Sequence, residues 1–288
     1  MFCSVSMFSQ KRFERSFSIE YFPPKTDKGW QKLHDNTLTF KQLQPNFYSV
    51  TFGAGGSTQQ GTFQAVKRIM DLGCNAAPHI SCISSTRDNI SDMLRQYQEL
   101  GVNRLVALRG DMPSGMGGVP GEFRYANELV EFIRHESGDY FHIEVAAYPE
   151  FHPLASSARA DLENFKRKVE AGANSAITQY FYNKEAYFRF VDSCEKLGVN
   201  IAIVPGIFPI TNYVQLTRFS QQCGAEIPRW ISKRLQDFGD DMDSLKAFGY
   251  DVTLKLCDDL LEAGAPGLHF YSLNNLEPTY TLWKALAL

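Results

Sequence analysis

Eight short apolar runs, each closed by a turn signal and each followed by a segment of helical periodicity, succeed one another along this chain. They occupy residues 17–22 (FSIEYF), 47–52 (FYSVTF), 76–83 (AAPHISCI), 105–113 (LVALRGDMP, apolar as far as Leu108), 142–148 (HIEVAAY), 175–182 (SAITQYFY), 200–208 (NIAIVPGIF) and 267–273 (GLHFYSL). Runs of this length bounded by Gly, Pro or charged residues are what strands buried on both faces look like. Between them, residues 27–43, 59–72, 88–100, 125–135, 161–171, 184–197, 214–223 and 250–263 space their apolar residues as a helix does, and 278–288 reads as a closing helix. Strands joined through helices imply right-handed crossovers and parallel pairing. Eight such units favour a closed α/β fold, the (β/α)8 or TIM barrel, over an open doubly wound sheet. An open nucleotide-binding sheet would want GxGxxG at the first helix, whereas GAGGS at 53–57 follows the second strand. Residues 1–15 are expected to form a flexible lead and 16–288 a single barrel domain.

With 44% of 288 residues hydrophobic, the chain can bury a large core. A formal net charge of -3 and a pI near 6.1 argue against a nucleic-acid partner, so any anion site must be local. Six cysteines are scattered without CxxC spacing, and HExxH is absent, so neither a disulfide framework nor a metal site is expected. Reduced thiols point to the cytoplasm. No run approaches a membrane span, and no signal-peptide pattern opens the chain.

Barrel enzymes carry their chemistry at the carboxyl ends of the strands, which here hold Glu20, Thr51, His79, Arg109, Asp111, Tyr148, Gln179 and Asn274. Glu20 lies in an aromatic run, where burial favours the neutral, proton-donating form of a carboxyl. The competing reading is an outward-facing rim residue. Asp111 follows Arg109 and Gly110, where a cation and hydration favour the ionised form; the bland alternative is a surface ion pair. Two carboxyls in different surroundings suit two roles. The stretch 146–168 adds Tyr148, His152, Asp161, Asn164, Arg167 and Lys168. With Arg109, the two basic residues have the charge to neutralise a diphosphate, against the alternative of a solvated basic helix face. For His79 and His152 the alternative is a hydrogen-bonded core or rim histidine. No GxSxG elbow supports a serine triad.

The motifs IEYFPP at 19–24, SVTFGAGGST at 49–58, APHISCI at 77–83, LRGD at 108–111 and AAYPEFHP at 146–153 occur with KRKVEAGANSAITQYFY at 166–182, PGIFPI at 205–210 and HFYSLN at 269–274. Taken together and in order, they make the chain resemble the 5,10-methylenetetrahydrofolate reductase family, in its compact bacterial form. The resemblance implies a (β/α)8 barrel with noncovalent FAD and a ping-pong reaction. NADH or NADPH gives hydride to FAD and leaves, and 5,10-methylenetetrahydrofolate is then reduced to 5-methyltetrahydrofolate for methionine biosynthesis. Glu20 falls on the family's general acid and Asp111 on the acidic residue between flavin and folate. FAD contacts carried over are Thr51, His79, Arg109, Gly110, Asp111, Ala126, Tyr148, His152, Ala155, Asp161, Asn164, Arg167 and Lys168. Substrate contacts are Glu20, Thr51, Asp111, Gln179, Gln215 and Phe219, with Tyr271 as a further wall. Asn275 stands where the family often has Arg and brings no cation. A homo-oligomer is also implied. The alternatives are another barrel flavoenzyme of the proline dehydrogenase type, or a barrel that binds without catalysis.

Overall fold

The structure is a computed structural model that describes residues 10–52, 59–110 and 121–288. Strands and helices alternate with parallel pairing, and the fold class is the α/β (β/α)8 barrel that the sequence predicts. Contacts group the chain into two compact units: Ser18–Ala146 with Asn164–Ala176, and Met1–Phe17 with Ala147–Glu163 and Ile177–Leu288.

The first unit carries β1 (Ser16–Tyr21), α1 (Asp27–Lys41), β2 (Phe47–Val50), α2 (Gln59–Asp71), β3 (Ala76–Ser81), α3 (Arg87–Glu99), β4 (Arg104–Leu108), α4 (Ala126–Ser137) and β5 (His142–Ala147). The helix α5 (Ala158–Glu170) and strand β6 (Ser175–Thr178) each divide between the units, as β1 does after Phe17 and β5 does after Ala146. Pro23 and Pro24 end the first strand, and the Thr26 hydroxyl caps the first helix by accepting from Gly29 N–H at 3.1 Å. Strand pairing aligns Glu20 with Ser49, Ser49 with Ala77, His79 with Val106 and Val106 with Glu144. Because alternate strand residues share a face, Ser18, Glu20, Ser49, His79, Ser81 and Glu144 point one way. Ile19, Tyr21, Tyr48, Val50, Ile80, Leu105, Ile143 and Val145 point the other, all of them buried. The apolar face explains why the strands read as apolar runs; the polar face is where chemistry can lie.

Near the amino ends of β4, β5 and β6 the polar face closes on itself. Glu144, 2% exposed, pairs with Arg104, and His142 Nε2 lies 3.4 Å from the same carboxylate oxygen and 2.5 Å from Ser175 Oγ. The Arg104 guanidinium also lies 4.6 Å from the Phe47 ring centre.

The second unit holds α6 (Lys184–Lys196), β7 (Ala202–Val204), β8 (Gly206–Ile207), α7 (Tyr213–Cys223), α8 (Arg229–Asp237), α9 (Met242–Ala263), β9 (Gly267–Tyr271) and α10 (Thr279–Ala285). The run at 200–208 is divided at Pro205, which has no N–H. Gly206 N–H then donates to the Thr178 hydroxyl at 2.9 Å, and Pro205 O accepts from His269 N–H at 2.9 Å. A Cβ on Gly206 would sit 2.1 Å from Thr178 O, so glycine is required by close approach.

Two helical readings are corrected here. The stretch between 223 and 250 holds α8, and α9 begins at Met242 rather than at 250. Gly249, just before the expected start, lies inside α9, where a Cβ would lie 2.2 Å from Ile210 O. From the expected lead, Gln10 is buried and bonds the backbone of Ile201 and Ile203, while residues 1–9 lie outside the described residues. Among the described residues no helix is long and apolar enough to cross a membrane.

Candidate active site

In the first unit, Glu20 occupies the carboxyl-terminal half of β1, with its side chain 19% exposed. Its Oε2 lies 3.4 Å from Nε2 of His79, which is 9% exposed on β3. Thr51, just past β2, is fixed beside β1 by its N–H, which donates to Tyr21 O at 2.9 Å. Its carbonyl accepts from the Thr62 hydroxyl at 2.8 Å, yet its own Oγ1 is buried without a hydrogen-bond partner among the described residues. A buried hydroxyl left in that state is costly, so the position fits a ligand group.

The end of β4 is held by β3. Arg109 O accepts from Ile83 N–H at 2.9 Å and from Ser81 Oγ at 2.9 Å. Gly110 follows with φ +84, and a Cβ there would lie 1.9 Å from Ser81 Oγ. The turn therefore admits only glycine. Ser81 was not legible as a site residue, although it stands two positions from His79 and so on the same face. Burial pushes the neighbouring Cys82 thiol up to about 11, which favours its protonated, unreactive form. Asp111 lies outside the described residues. Ala126 opens α4.

On α5, Arg167 is exposed and donates to Asn164 Oδ1 at 2.9 Å. Lys168 reaches Ala146 O at 2.5 Å and lies 5.5 Å from the Phe165 ring centre, so its ammonium is anchored at the end of β5 rather than extended into solvent.

In the second unit, the loop after β5 is tied to itself. His152 N–H donates to Asp161 Oδ2 at 2.9 Å, Leu154 N–H donates to His152 Nδ1 at 3.0 Å, and the Tyr148 and His152 rings meet edge to face at 4.6 Å. Ala155 N–H donates to His152 O at 2.9 Å. Burial raises the Glu150 carboxyl above its usual range, against a hydrogen bond from Glu226 N–H.

Gln179 follows β6, and its Oε1 accepts from Tyr180 N–H at 3.0 Å. The Tyr271 hydroxyl donates to Thr178 O at 2.7 Å, which holds that ring beside Gly206. Gln215 and Phe219 are one turn apart on the same face of α7, whose N-terminus Asn212 caps at 2.8 Å. Phe219 packs edge on against Phe208 at 5.7 Å, and Phe208 stacks on Tyr180 at 4.9 Å. Asn274, 6% exposed, and Asn275 follow β9; Asn275 N–H donates to Ser272 O at 3.0 Å.

The profile of the family described as "Methylenetetrahydrofolate reductase" matches residues 7–287. The 5,10-methylenetetrahydrofolate reductase of Escherichia coli (strain K12) is 40% identical over 270 residues, covering 93% of this chain and 90% of that one. The "Methylenetetrahydrofolate reductase (NADH) 1" of Arabidopsis thaliana is 36% identical over 274 residues, covering 91% of this chain and 46% of that longer protein. Among solved structures, an "Uncharacterized protein from Clostridium thermocellum binds two copies of 5-methyl-5,6,7,8-tetrahydrofolic acid" aligns over 98% of this chain and 96% of that one. Its TM-score is 0.65 at 16% identity, a likeness that speaks for the fold.

Proposed function

Because this chain belongs to the methylenetetrahydrofolate reductase family, we propose that it binds FAD noncovalently and reduces 5,10-methylenetetrahydrofolate to 5-methyltetrahydrofolate with NADH or NADPH in a ping-pong reaction. The observation that carries this reading is the Glu20 carboxyl, half-buried at a strand's carboxyl end with His79 3.4 Å away. A protonatable group in that position suits an acid that assists opening of the folate imidazolidine ring to an iminium cation. Asp111 is proposed to stabilise that cation by its charge.

The residues fit a flavin nucleotide. Thr51 Oγ1 is a buried polar atom in want of a partner, and the Gly110 turn has no room for a side chain. Arg109, Arg167 and Lys168 supply cations for a diphosphate, and Tyr148, His152 and Asp161 form the pre-folded loop to receive the rest, with His79, Ala126, Ala155 and Asn164 as further contacts. When bound, FAD supplies hydride transfer in both half-reactions. Gln179, Gln215, Phe219 and Tyr271 are proposed to bind whichever substrate is present, the two amides by hydrogen bonding and the two rings by stacking. Asn275 supplies no charge to the folate tail. The Arabidopsis relative is named for NADH, which supports NADH as the donor to be tried first. A single catalytic domain over 16–288, a homo-oligomeric assembly, a cytoplasmic setting and a role in methionine biosynthesis complete the proposal; Cys74, Cys82, Cys194, Cys223 and Cys257 are all free thiols.

Anaerobic rapid mixing of the purified protein tests it. Glu20→Gln is expected to slow reoxidation by the folate about 100- to 10,000-fold, the usual worth of a general acid, while flavin reduction by the nucleotide stays within a few-fold. Equal losses in both half-reactions would assign Glu20 a structural role, and a colourless protein that takes up no FAD would remove the flavoenzyme reading.

A further inference from the structure

We propose that His79 is the positioning residue of the Glu20 acid: its Nε2–H donates to Oε2, so that the transferable proton resides on Oε1. This rests on the reading of Glu20 as the acid. The two atoms are 3.4 Å apart, an ion-pair contact rather than an aligned hydrogen bond, on side chains 9% and 19% exposed; in the proposed arrangement a small ring rotation closes it to a hydrogen bond.

The sequence builds this contact across an intervening strand. Glu20 is on β1 and His79 on β3, with β2 between. The residues in register with Glu20 are Ser49 and then Ala77, two small side chains. His79 stands one pleat period beyond Ala77 on the same face, so a carboxyl and an imidazole meet over a low saddle. All six residues of β3 are buried, which restricts the imidazole to few orientations. A carboxyl on a flexible stem gains most from such a partner, because general acid catalysis needs its proton aimed at one atom.

Among the described residues of this unit, the other ionisable groups on this polar face are Arg104 of β4 and His142 and Glu144 of β5, with Arg109 just beyond β4. Arg104, His142 and Glu144 are engaged with one another near the amino ends of the strands. His79 is thus the partner that the strand register brings to Glu20 at the carboxyl ends.

Three variants decide the matter: His79→Leu, His79→Gln, which keeps an N–H donor, and Glu20→Gln. With FAD content verified by absorbance, His79→Leu is expected to slow the folate half-reaction about 10- to 100-fold at saturating folate, several-fold more than it slows flavin reduction, the half-reaction in which His79 acts only as an FAD contact. His79→Gln should recover most of the rate. In FAD-free protein, nitrogen NMR should find the His79 proton on Nε2 and a shift of that signal in Glu20→Gln. Equal slowing of both half-reactions, no rescue by Gln, or a His79 signal indifferent to Glu20→Gln would each overturn the proposal. If Glu20→Gln itself keeps full folate reduction, the acid reading fails; if it does not and His79→Leu is silent, only the positioning role fails.

Discussion

Glu144→Gln keeps the side chain's volume and removes its charge from the buried network with Arg104, His142 and Ser175. Removing one partner of a buried ion pair costs about 3–5 kcal/mol. Here the loss is smaller. The glutamine carbonyl still accepts a hydrogen bond, and the Arg104 side chain is 25% exposed and rests over Phe47, so its charge is not stranded. About 2–3 kcal/mol is expected. Unfolding entropy scales with length, so the thermal midpoint should fall by about 3–6 °C. The pH dependence is the sharper readout. Burial pushes the Glu144 carboxyl up, but the hydrogen bond with His142 and the charge of Arg104 outweigh it and hold the group below its ordinary value. A carboxyl depressed in the folded state contributes stability that is complete above the unfolded pKa, about 4.3, and is lost as pH falls through the lower folded value. The gap between wild type and variant should therefore be constant from pH 6 to 8 and close on acidification below about 4. Circular dichroism melts of the FAD-free protein over that range measure it. A gap that persists undiminished to pH 3, or a variant as stable as wild type at pH 7, would refute the assignment of a charged, stabilising Glu144.

Two further substitutions separate folding from ligand binding. Gly110→Ala forces a Cβ against Ser81 Oγ at a positive φ, and should cost about 1–3 kcal/mol and weaken FAD uptake, read by melts and by flavin titration. Full stability and full affinity would mean that the turn is not constrained as described. Thr51→Val removes a hydroxyl that has no partner among the described residues. The FAD-free protein should melt within about 0.5 kcal/mol of wild type or slightly above it, whereas flavin or nucleotide binding should weaken. A destabilised FAD-free variant with unchanged binding would show that the hydroxyl serves the fold alone.

The strand-helix alternation was legible because a strand packed against helices shows a continuous apolar face, and Ile19, Tyr21, Ile80 and Val145 supply it. The division of the seventh run was signalled by Pro205, but the Thr178 hydroxyl that receives Gly206 N–H is a contact between residues distant in sequence and leaves no local trace. The sequence places the start of α9 eight residues late, at 250 rather than Met242, for a related reason: the glycine at 249 has low helix propensity, and the crowding against Ile210 that suits it there leaves no local trace. The candidate residues at strand ends stand out in the sequence because charged and polar groups interrupt apolar runs. The pairing of Glu20 with His79 depends on two registers together, and the burial of Glu144 depends on Arg104 arriving from another strand. Neither partner choice is written in the spacing of its own strand.

Under the proposed function, the loop after β5 would also decide which edge of the His152 imidazole the ligand meets. Leu154 N–H donates to Nδ1 of His152, so the neutral ring must carry its proton on Nε2. His152 thereby offers a donor, and its backbone is already pinned by Asp161. Two consequences follow for recognition. The segment is already tied by its own hydrogen bonds, so a ligand bound there would give up little affinity to ordering it. It also meets a fixed hydrogen-bond polarity, one that accepts a hydroxyl or phosphate oxygen and disfavours a group able only to donate. On the proposed reading, selectivity at this corner would be set by one amide, two residues along from the ring it constrains.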